Sequence, residues 1–506
     1  MSTRWESFPI KFEGGLITNL GRIEQGVQAP GSATILQNFE ADVQGGYSRI
    51  LGYQKFSTAS VPGTGQILGV LAVSSGEVLS LRANKYQFST GTSWTEKLTL
   101  INSSVTSIAY DTFNFNGVRK LVIVDGANDP AIFNTVSKTM AYLTTAPTEV
   151  EGATDVSVFK NHIFYAKENL LGFSAPFTED DFTSGNGAGV VNVGDKITGT
   201  IVFRDQLIIF CLNSIYRLTG SSLADFQLSA ITRNTGCLFR DSIQEVGGDI
   251  LYLGPDGVRY LSATEKLGDF GLARASSSVQ KVLLNKFEAT SKVASITIAN
   301  KNQYRLFSFV TNTPQKNSDG FIGVKYMDQT SENISWSTTR GIKVYSISKW
   351  QESDKEHIFF SSDTDYVYRL ESGNSFDGSD IEAIFETPYM PISDPKKRKT
   401  MYKHTLYIKP LGRLEVRCRL KFDYDKQGSP ATTAFDIANG EGGGNFYGDP
   451  TSIYGTSVYG ALSDSEYYNN VNGSGFVVAL RYTSVSQKPA YNLNFVVLEY
   501  RENERR

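Results

Sequence analysis

Gln206-Leu207-Ile208-Ile209-Phe210-Cys211-Leu212-Asn213-Ser214-Ile215-Tyr216-Arg217-Leu218-Thr219 is an apolar run, a polar break and a second run carrying a tyrosine. The first run suits a strand and Asn213-Ser214 suits a turn. The same signature recurs at Gly76–Ser89, Lys120–Asn134, Asn161–Ser174, Asp249–Ser262 and His357–Leu370, with a degenerate copy from Gln303 to Met327. Its matched apolar positions are Leu79, Val122, Ile163, Ile208, Leu251, Leu306 and Phe359, separated by 43, 41, 45, 43, 55 and 53 residues. A strand-bearing period of about 40–45 residues marks a propeller blade, because a four-stranded sheet has two apolar faces and radial stacking covers both. The expected fold is all-β: a β-propeller of six or seven blades over residues 61–388.

The 55-residue step predicts an insertion. Ser276–Lys286 carries Val279, Val282 and Leu283 at helical spacing after a Ser-rich start, which predicts one short helix. Eight Asn-Gly or Asp-Gly pairs, among them Asp125-Gly126, Asp256-Gly257 and Asp319-Gly320, are candidate hairpin turns. Residues 1–60 form an N-terminal extension or docking segment rich in Gly and Gln. After a Pro-interrupted linker, residues 396–506 carry long strand patterns and are expected to form a C-terminal β-sandwich-like domain. A Gly- and Tyr-rich loop at 440–470 interrupts it.

Composition narrows the function. The chain of 506 residues has 49 basic and 52 acidic side chains, a net charge of −3. A polybasic nucleic-acid coat is excluded, since phosphate affinity needs clustered Lys and Arg. Three widely spaced cysteines, Cys211, Cys237 and Cys418, cannot build a disulfide framework, which points to a reducing cytoplasm during synthesis. The start lacks the apolar stretch of a signal peptide, and the longest Gly-free apolar run is Leu207–Leu212, far short of a bilayer span. No integral membrane association is expected.

Catalytic patterns are thin. Zinc, P-loop, nucleophile-elbow and dinucleotide motifs are absent from the sequence, and the chain is expected not to be an enzyme, with no catalytic, cofactor or metal residues. Asp269-Phe270-Gly271 imitates a kinase triplet without its partner motifs. His162 and His357 fall at equivalent repeat positions and read as blade sequence. Glu179-Asp180-Asp181 and Asp363/Asp365 could form a carboxylate pair, but acidic turns more often cap backbone. Contact residues for DNA or a partner are expected at Lys396, Lys397, Arg398 and Lys399, a basic run. Phe446, Tyr447, Tyr454 and Tyr459, aromatic residues on a Gly-rich scaffold, are expected as interface anchors.

Two stretches resemble a known family. The first comprises Gly14-Gly15-Leu16, Gly31-Ser32-Ala33, Gln37-Asn38-Phe39 and Gly45-Gly46-Tyr47-Ser48-Arg49. The second runs from Asp195-Lys196-Ile197-Thr198-Gly199 through Phe203–Phe210, Asn213–Tyr216, Asp225-Phe226-Gln227, Thr235-Gly236-Cys237 and Gly247-Gly248-Asp249 to Pro255-Asp256-Gly257-Val258-Arg259. With the terminal Leu498-Glu499-Tyr500-Arg501, they resemble the tail nozzle, or packaged-DNA stabilisation, proteins of short-tailed bacteriophages. The resemblance implies a structural virion protein made in the host bacterial cytoplasm. It also implies a homo-hexameric ring below the portal and adaptor, which continues the channel for double-stranded DNA and anchors fibres or a needle. Six subunits would carry about −18, a charge that lets DNA slide. The competing expectation is a carbohydrate-binding or -cleaving propeller for receptor recognition, though Trp5, Trp94, Trp336 and Trp350 hold no regular repeat position.

Overall fold

The computed structural model describes residues 5–42, 45–262, 274–288, 290–327, 332–425, 434–438 and 465–503. The repeat folds into seven blades of antiparallel strands. Their innermost strands are Gly69–Ser74, Ala109–Phe113, Asp155–Phe159, Ile197–Phe203, Gln244–Val246, Lys292–Ile298 and Ser346–Glu352, which number blades 1 to 7. Leu79, Val122, Ile163, Ile208, Leu251, Leu306 and Phe359 all lie on the second strand of their blades, and all are buried. Second strands are covered on both faces by neighbouring blades, so they read as continuous apolar runs such as Leu207–Cys211. The C-terminal strand Glu415–Phe422, covered on one face only, alternates instead: Val416, Cys418, Leu420 and Phe422 are buried while Glu415, Arg417 and Arg419 are exposed.

The long steps have physical causes. Between blades 5 and 6 a helix, Gln280–Phe287, buries Leu283 and Phe287, with Val279 at its N-cap. It starts four residues after the expected Ser276, because Ser276 is used elsewhere: its Oγ accepts Val258 N–H at 3.0 Å. A second helix, Arg22–Gln28, belongs to the N-terminal segment. Blade 6 is lengthened by nine-residue strands, Asp319–Met327 and Glu332–Arg340. Asp319-Gly320 opens the first of these strands and is no turn; Gly257, at φ 130°, closes a tight hairpin turn, and Gly126, at φ 78°, lies in the longer loop between Lys120–Val124 and Ala131–Asn134.

Both ends of the chain are woven into this body. Tyr53–Lys55 pairs with Val367–Leu370 as the outer strand of blade 7, so strand pairing carries the propeller into the segment read as an extension. Ile35–Gln37 lies between blade 6 and Ile381–Glu386, giving a nine-stranded sheet that continues through Val478–Ser486 and Glu415–Phe422 to Phe435–Ala438. A second sheet packs on its C-terminal part, with Tyr491–Glu502 flanked by Lys399–Pro410 on one side and by Glu6–Lys11 and Tyr47–Arg49 on the other. Leu406, Ile408, Leu480, Tyr482, Val496 and Leu498 form the sandwich interior, contiguous with Leu251, Leu306 and Trp336 of the propeller. The strand Glu415–Phe422 ends where Asp423 and Tyr424 take φ 49° and 64° in a tight turn.

Candidate functional site

The seven inner strands surround a central cavity of about 560 Å³ lined mostly by polar groups. Two aspartates stitch its wall by one device. Asp111 of blade 2 accepts Val158 N–H of blade 3 at 2.7 Å, and Asp155 of blade 3 accepts Thr200 N–H of blade 4 at 2.6 Å. Each carboxylate thereby occupies a backbone donor that a first strand, having no further neighbour in its own sheet, leaves unpaired. Ser346 does the same between blades 7 and 1, accepting Val70 N–H at 3.1 Å.

Arg240, in the turn Arg240–Ser242 before blade 5, reaches across this space. Its Nη2 donates to Ile108 O at 2.8 Å and its Nε to Asp241 Oδ1 at 2.8 Å, while Nη1 stands 3.7 Å from Asp155 Oδ1. Ile108 precedes blade 2, so one guanidinium ties blade 5 to blades 2 and 3 and crosses the channel. Burial opposes its charge, and Asp241 and Asp155 more than offset that. Lys349 is matched as well, donating to Thr297 O at 2.8 Å and Glu356 Oε1 at 3.2 Å.

Two other charges make no ion pair among the described residues. Burial raises the Asp111 carboxyl to about 6, with backbone N–H donors only partly countering it. Burial likewise lowers the Lys292 ammonium to about 8. Asp155 is also raised by burial, less the pull of Arg240.

The residues singled out from sequence are placed elsewhere. Glu179 pairs with Lys120, and Asp181 accepts Thr183 N–H at 2.8 Å and Asn186 Nδ2 at 2.7 Å, all around blades 2 and 3. Asp363 pairs with Lys343 at 2.7 Å and Asp365 with Arg82, at blade 7. The Glu179–Asp181 cluster at blade 3 and the Asp363/Asp365 cluster at blade 7 are not brought together. His162 is buried with Nδ1 2.6 Å from Ser174 O, and His357 sits 3.1 Å from Arg369 Nη2. Among the described residues no group of three or more His, Cys, Asp or Glu could hold a metal ion. No helix is long and apolar enough to cross a membrane among them.

The basic run is not exposed as a whole. Lys399 is buried and its Nζ donates to Pro391 O at 2.7 Å and Phe476 O at 3.3 Å. Arg398 bonds Ser474 Oγ at 3.0 Å, Lys397 pairs with Glu502 at 2.6 Å, and Lys396 projects outward. Phe446, Tyr447, Tyr454 and Tyr459, like Asp269-Phe270-Gly271, lie outside the described residues. Arg240, Asp111 and Lys292 were missed in the sequence. Their signal was a charge interrupting or abutting a strand that must be buried on both faces.

The segments carrying the family resemblance do structural work. Tyr47 Oη accepts Gly15 N–H at 2.9 Å and donates to Gly31 O at 3.2 Å. Asn38, at φ 55°, donates to Arg340 O and Glu382 O and accepts Arg340 N–H, joining blade 6 to the sandwich. Arg49 donates to Ser486 O at 3.1 Å. In the second stretch Asp195 accepts Asn213 N–H at 3.0 Å and Ser214 Oγ at 2.7 Å, and Asp256 holds buried Arg259 through two bonds of 2.6 and 2.7 Å.

No protein-family model matches the chain, and a comparison with curated proteins finds no match. Among solved structures it is similar to an ancestral GH74 enzyme, at 11% identity and a TM-score of 0.41 over 64% of this chain and 53% of that one. It is similar to the AfRom2 CNH domain at 10% identity and a TM-score of 0.38, over 63% of this chain and 99% of that one. The third is YCF48 bound to D1 peptide, at 10% identity and a TM-score of 0.38, over 62% and 95%. This chain spans about half the length of the GH74 enzyme. The likenesses bring no activity or substrate to this chain. The β-propeller assignment rests on its own strand pairing.

Proposed function

We propose that this chain is a structural subunit of a short bacteriophage tail, the nozzle ring below portal and adaptor that continues the DNA path, helps retain packaged DNA and anchors fibres or a needle. The observation that carries the reading is where the resembling residues sit. Gly15, Asn38, Tyr47 and Arg49 fasten propeller and sandwich into one body at the junction of blade 6 with the C-terminal sheets. A ring subunit needs such rigidity, because closed heterologous contacts require two different faces held at a constant angle. Of the carboxylates that could have served as a glycosidase pair, Glu179 is held by Lys120, and Asp363 and Asp365, both of blade 7, are held by different cations, Lys343 and Arg82. On this reading DNA passes between subunits and not through a propeller, whose channel Arg240 crosses.

The test is native mass spectrometry with negative-stain imaging, on the protein alone and mixed with its adaptor. A six-subunit ring with a central opening supports the reading, and a ring formed only with adaptor makes assembly templated. A monomer under both conditions that binds or cuts a glycan replaces it with the receptor-recognition propeller.

A further inference from the structure

Resting on the ring reading, we propose that copies of this chain join head to tail, the outer aromatic face of the sandwich on one copy seating against an acidic corner of blade 2 on the next. The sandwich face spans Glu6–Lys11, Tyr491–Glu502, Lys399–Pro410 and Ser465–Gly475, whose inner side packs on the other sheet. Outward it carries Trp5 stacked on Tyr402 at 4.5 Å and Tyr407 stacked on Phe495 at 4.1 Å, while Tyr468 is 66% exposed. Cations stand over two of these rings, the Arg501 guanidinium 5.8 Å from Trp5 and the Lys403 ammonium 4.7 Å from Tyr468. Lys403 reaches Glu499 only at 4.0 Å, and Arg501 makes no ion pair among the described residues. Exposed Trp, Tyr and Arg together are the composition of interface centres.

The complementary surface lies across the ring. Ile101, between blades 1 and 2, is 79% exposed, more than any other large apolar side chain among the described residues. Its loop is fixed, because Asn102 N–H donates to Asn128 Oδ1 at 2.7 Å and Asn128 Nδ2 to Asn102 O at 3.0 Å. Asp129 follows Asn128, and Gly152 N–H donates to Asn128 O at 3.0 Å, which brings Glu151 alongside. Burial and the like charge of Glu151 raise the Asp129 carboxyl, and neither acid makes an ion pair among the described residues. Residues 109–192, blades 2 and 3, carry ten acidic and five basic side chains, whereas residues 396–506 carry eleven acidic and sixteen basic. The sandwich continues blade 6, which is three blades from blade 2 by one path and four by the other. The two surfaces therefore occupy opposite flanks of one molecule. Their contact places Arg501 against Asp129 and Glu151, relieves the repulsion between the acids and covers Ile101 and Trp5. Two copies meeting through the same surface would oppose like charges. A contact of unlike surfaces leaves one of each free and so propagates until a ring closes.

The experiment is native mass spectrometry with sedimentation of the full-length protein and two double variants, alone and with adaptor. Trp5→Ala with Arg501→Glu alters the sandwich face, and Ile101→Arg with Glu151→Lys alters the acidic corner. None of the four side chains is buried, so both variants should melt close to the parent. Each is expected to stay monomeric where the parent assembles, and the parent assembly to weaken at high salt. An equimolar mixture of the variants is expected to stop at one-to-one dimers, since each keeps the surface that the other has lost. A mixture that stays monomeric, or that builds the parent's oligomer, overturns the proposal. Rings formed by either variant as readily as by the parent also overturn it, and leave the ring reading standing. A sandwich-face variant that assembles normally but no longer binds adaptor, or a single-stranded oligonucleotide, gives the face to that partner instead. A parent that is monomeric alone and with adaptor overturns both readings.

Discussion

Arg305 and Glu40 are far apart in sequence, yet Nη2 of the arginine lies 2.9 Å from a carboxylate oxygen of the glutamate, and Arg305 has no exposed surface. Arg305 belongs to blade 6 and Glu40 to the N-terminal strand Phe39–Ala41. Glu371, just beyond the third strand of blade 7, meets the same guanidinium at 2.8 Å, and Lys301 pairs with both carboxylates. Four charges from three parts of the chain thus lock propeller closure to the N-terminal segment.

Removing Glu40 leaves two cations, Arg305 and Lys301, sharing the single carboxylate of Glu371. Glu40→Ala is expected to cost about 3–5 kcal/mol, read as a lower urea midpoint. Burial favours the neutral form of Glu371, but Arg305 and Lys301 outweigh it and hold the carboxyl below its ordinary value. That contribution is complete above the unfolded carboxylate pKa and is lost as pH falls through the folded one. The stability gap between Glu371→Gln and the parent protein should therefore shrink in strong acid. A gap independent of pH would mean that packing, and not charge, sets the cost.

His404 titrates in a different window. It is enclosed between the sandwich sheets, 2.8 Å from Tyr482 Oη, and burial lowers it to about 4 from the ordinary 6.5. The unfolded chain takes up this proton first, so stability is unaffected above about pH 6.5, declines between there and about 4, and is level below. A shift of this size corresponds to roughly 3 kcal/mol. His404→Gln should flatten this part of a Tm-against-pH curve measured from pH 8 to 4.

Two glycines separate backbone demand from composition. Gly15 has φ 67°, and a Cβ there would lie 2.8 Å from Trp336 N and O. Gly15→Ala is expected to destabilise by about 2–4 kcal/mol, combining left-handed strain with a backbone clash. Gly76 has no positive φ and open space around a Cβ, so Gly76→Ala should fall within about 0.5 kcal/mol of the parent in chemical denaturation.

The three thiols report global unfolding. Cys211, Cys237 and Cys418 are free and buried, and burial raises the first to about 12 and the second to about 11. With little thiolate and no access, none should react with Ellman's reagent in native protein at pH 8. All three should appear together in urea. Early labelling of Cys237 alone would reveal separate opening of blade 5.

The repeat was legible because every second strand of a blade faces the same environment. Leu79, Val122, Ile163, Ile208, Leu251, Leu306 and Phe359 are buried by identical neighbours and so look alike. First strands were harder to see, since Asp111, Asp155 and Lys292 place charges where a propeller wall has free backbone donors or a cavity. Asp319-Gly320 misled for the opposite reason: a dipeptide that tolerates a turn does not require one. The run Lys396–Lys399 reads as one patch along the chain, but at the start of a strand its side chains separate. Lys399 turns in to cap carbonyl groups while Lys396 stays in solvent.

By itself, the sequence determined the all-β class, the period near 43 residues, the propeller and the strands of a C-terminal sandwich, because these follow from apolar periodicity and local turn chemistry. Only the tertiary structure decided that there are seven blades, that Tyr53–Lys55 completes the last, and that Ile35–Gln37 welds blade 6 to the C-terminal sheet. Only it could bring Arg240 across the channel and line one cavity with Asp111 and Lys292. Periodicity records what a strand meets within its own repeat. Pairings such as Leu36 with Phe385, or charges meeting across the ring of blades, leave no local pattern, since they depend on ring closure.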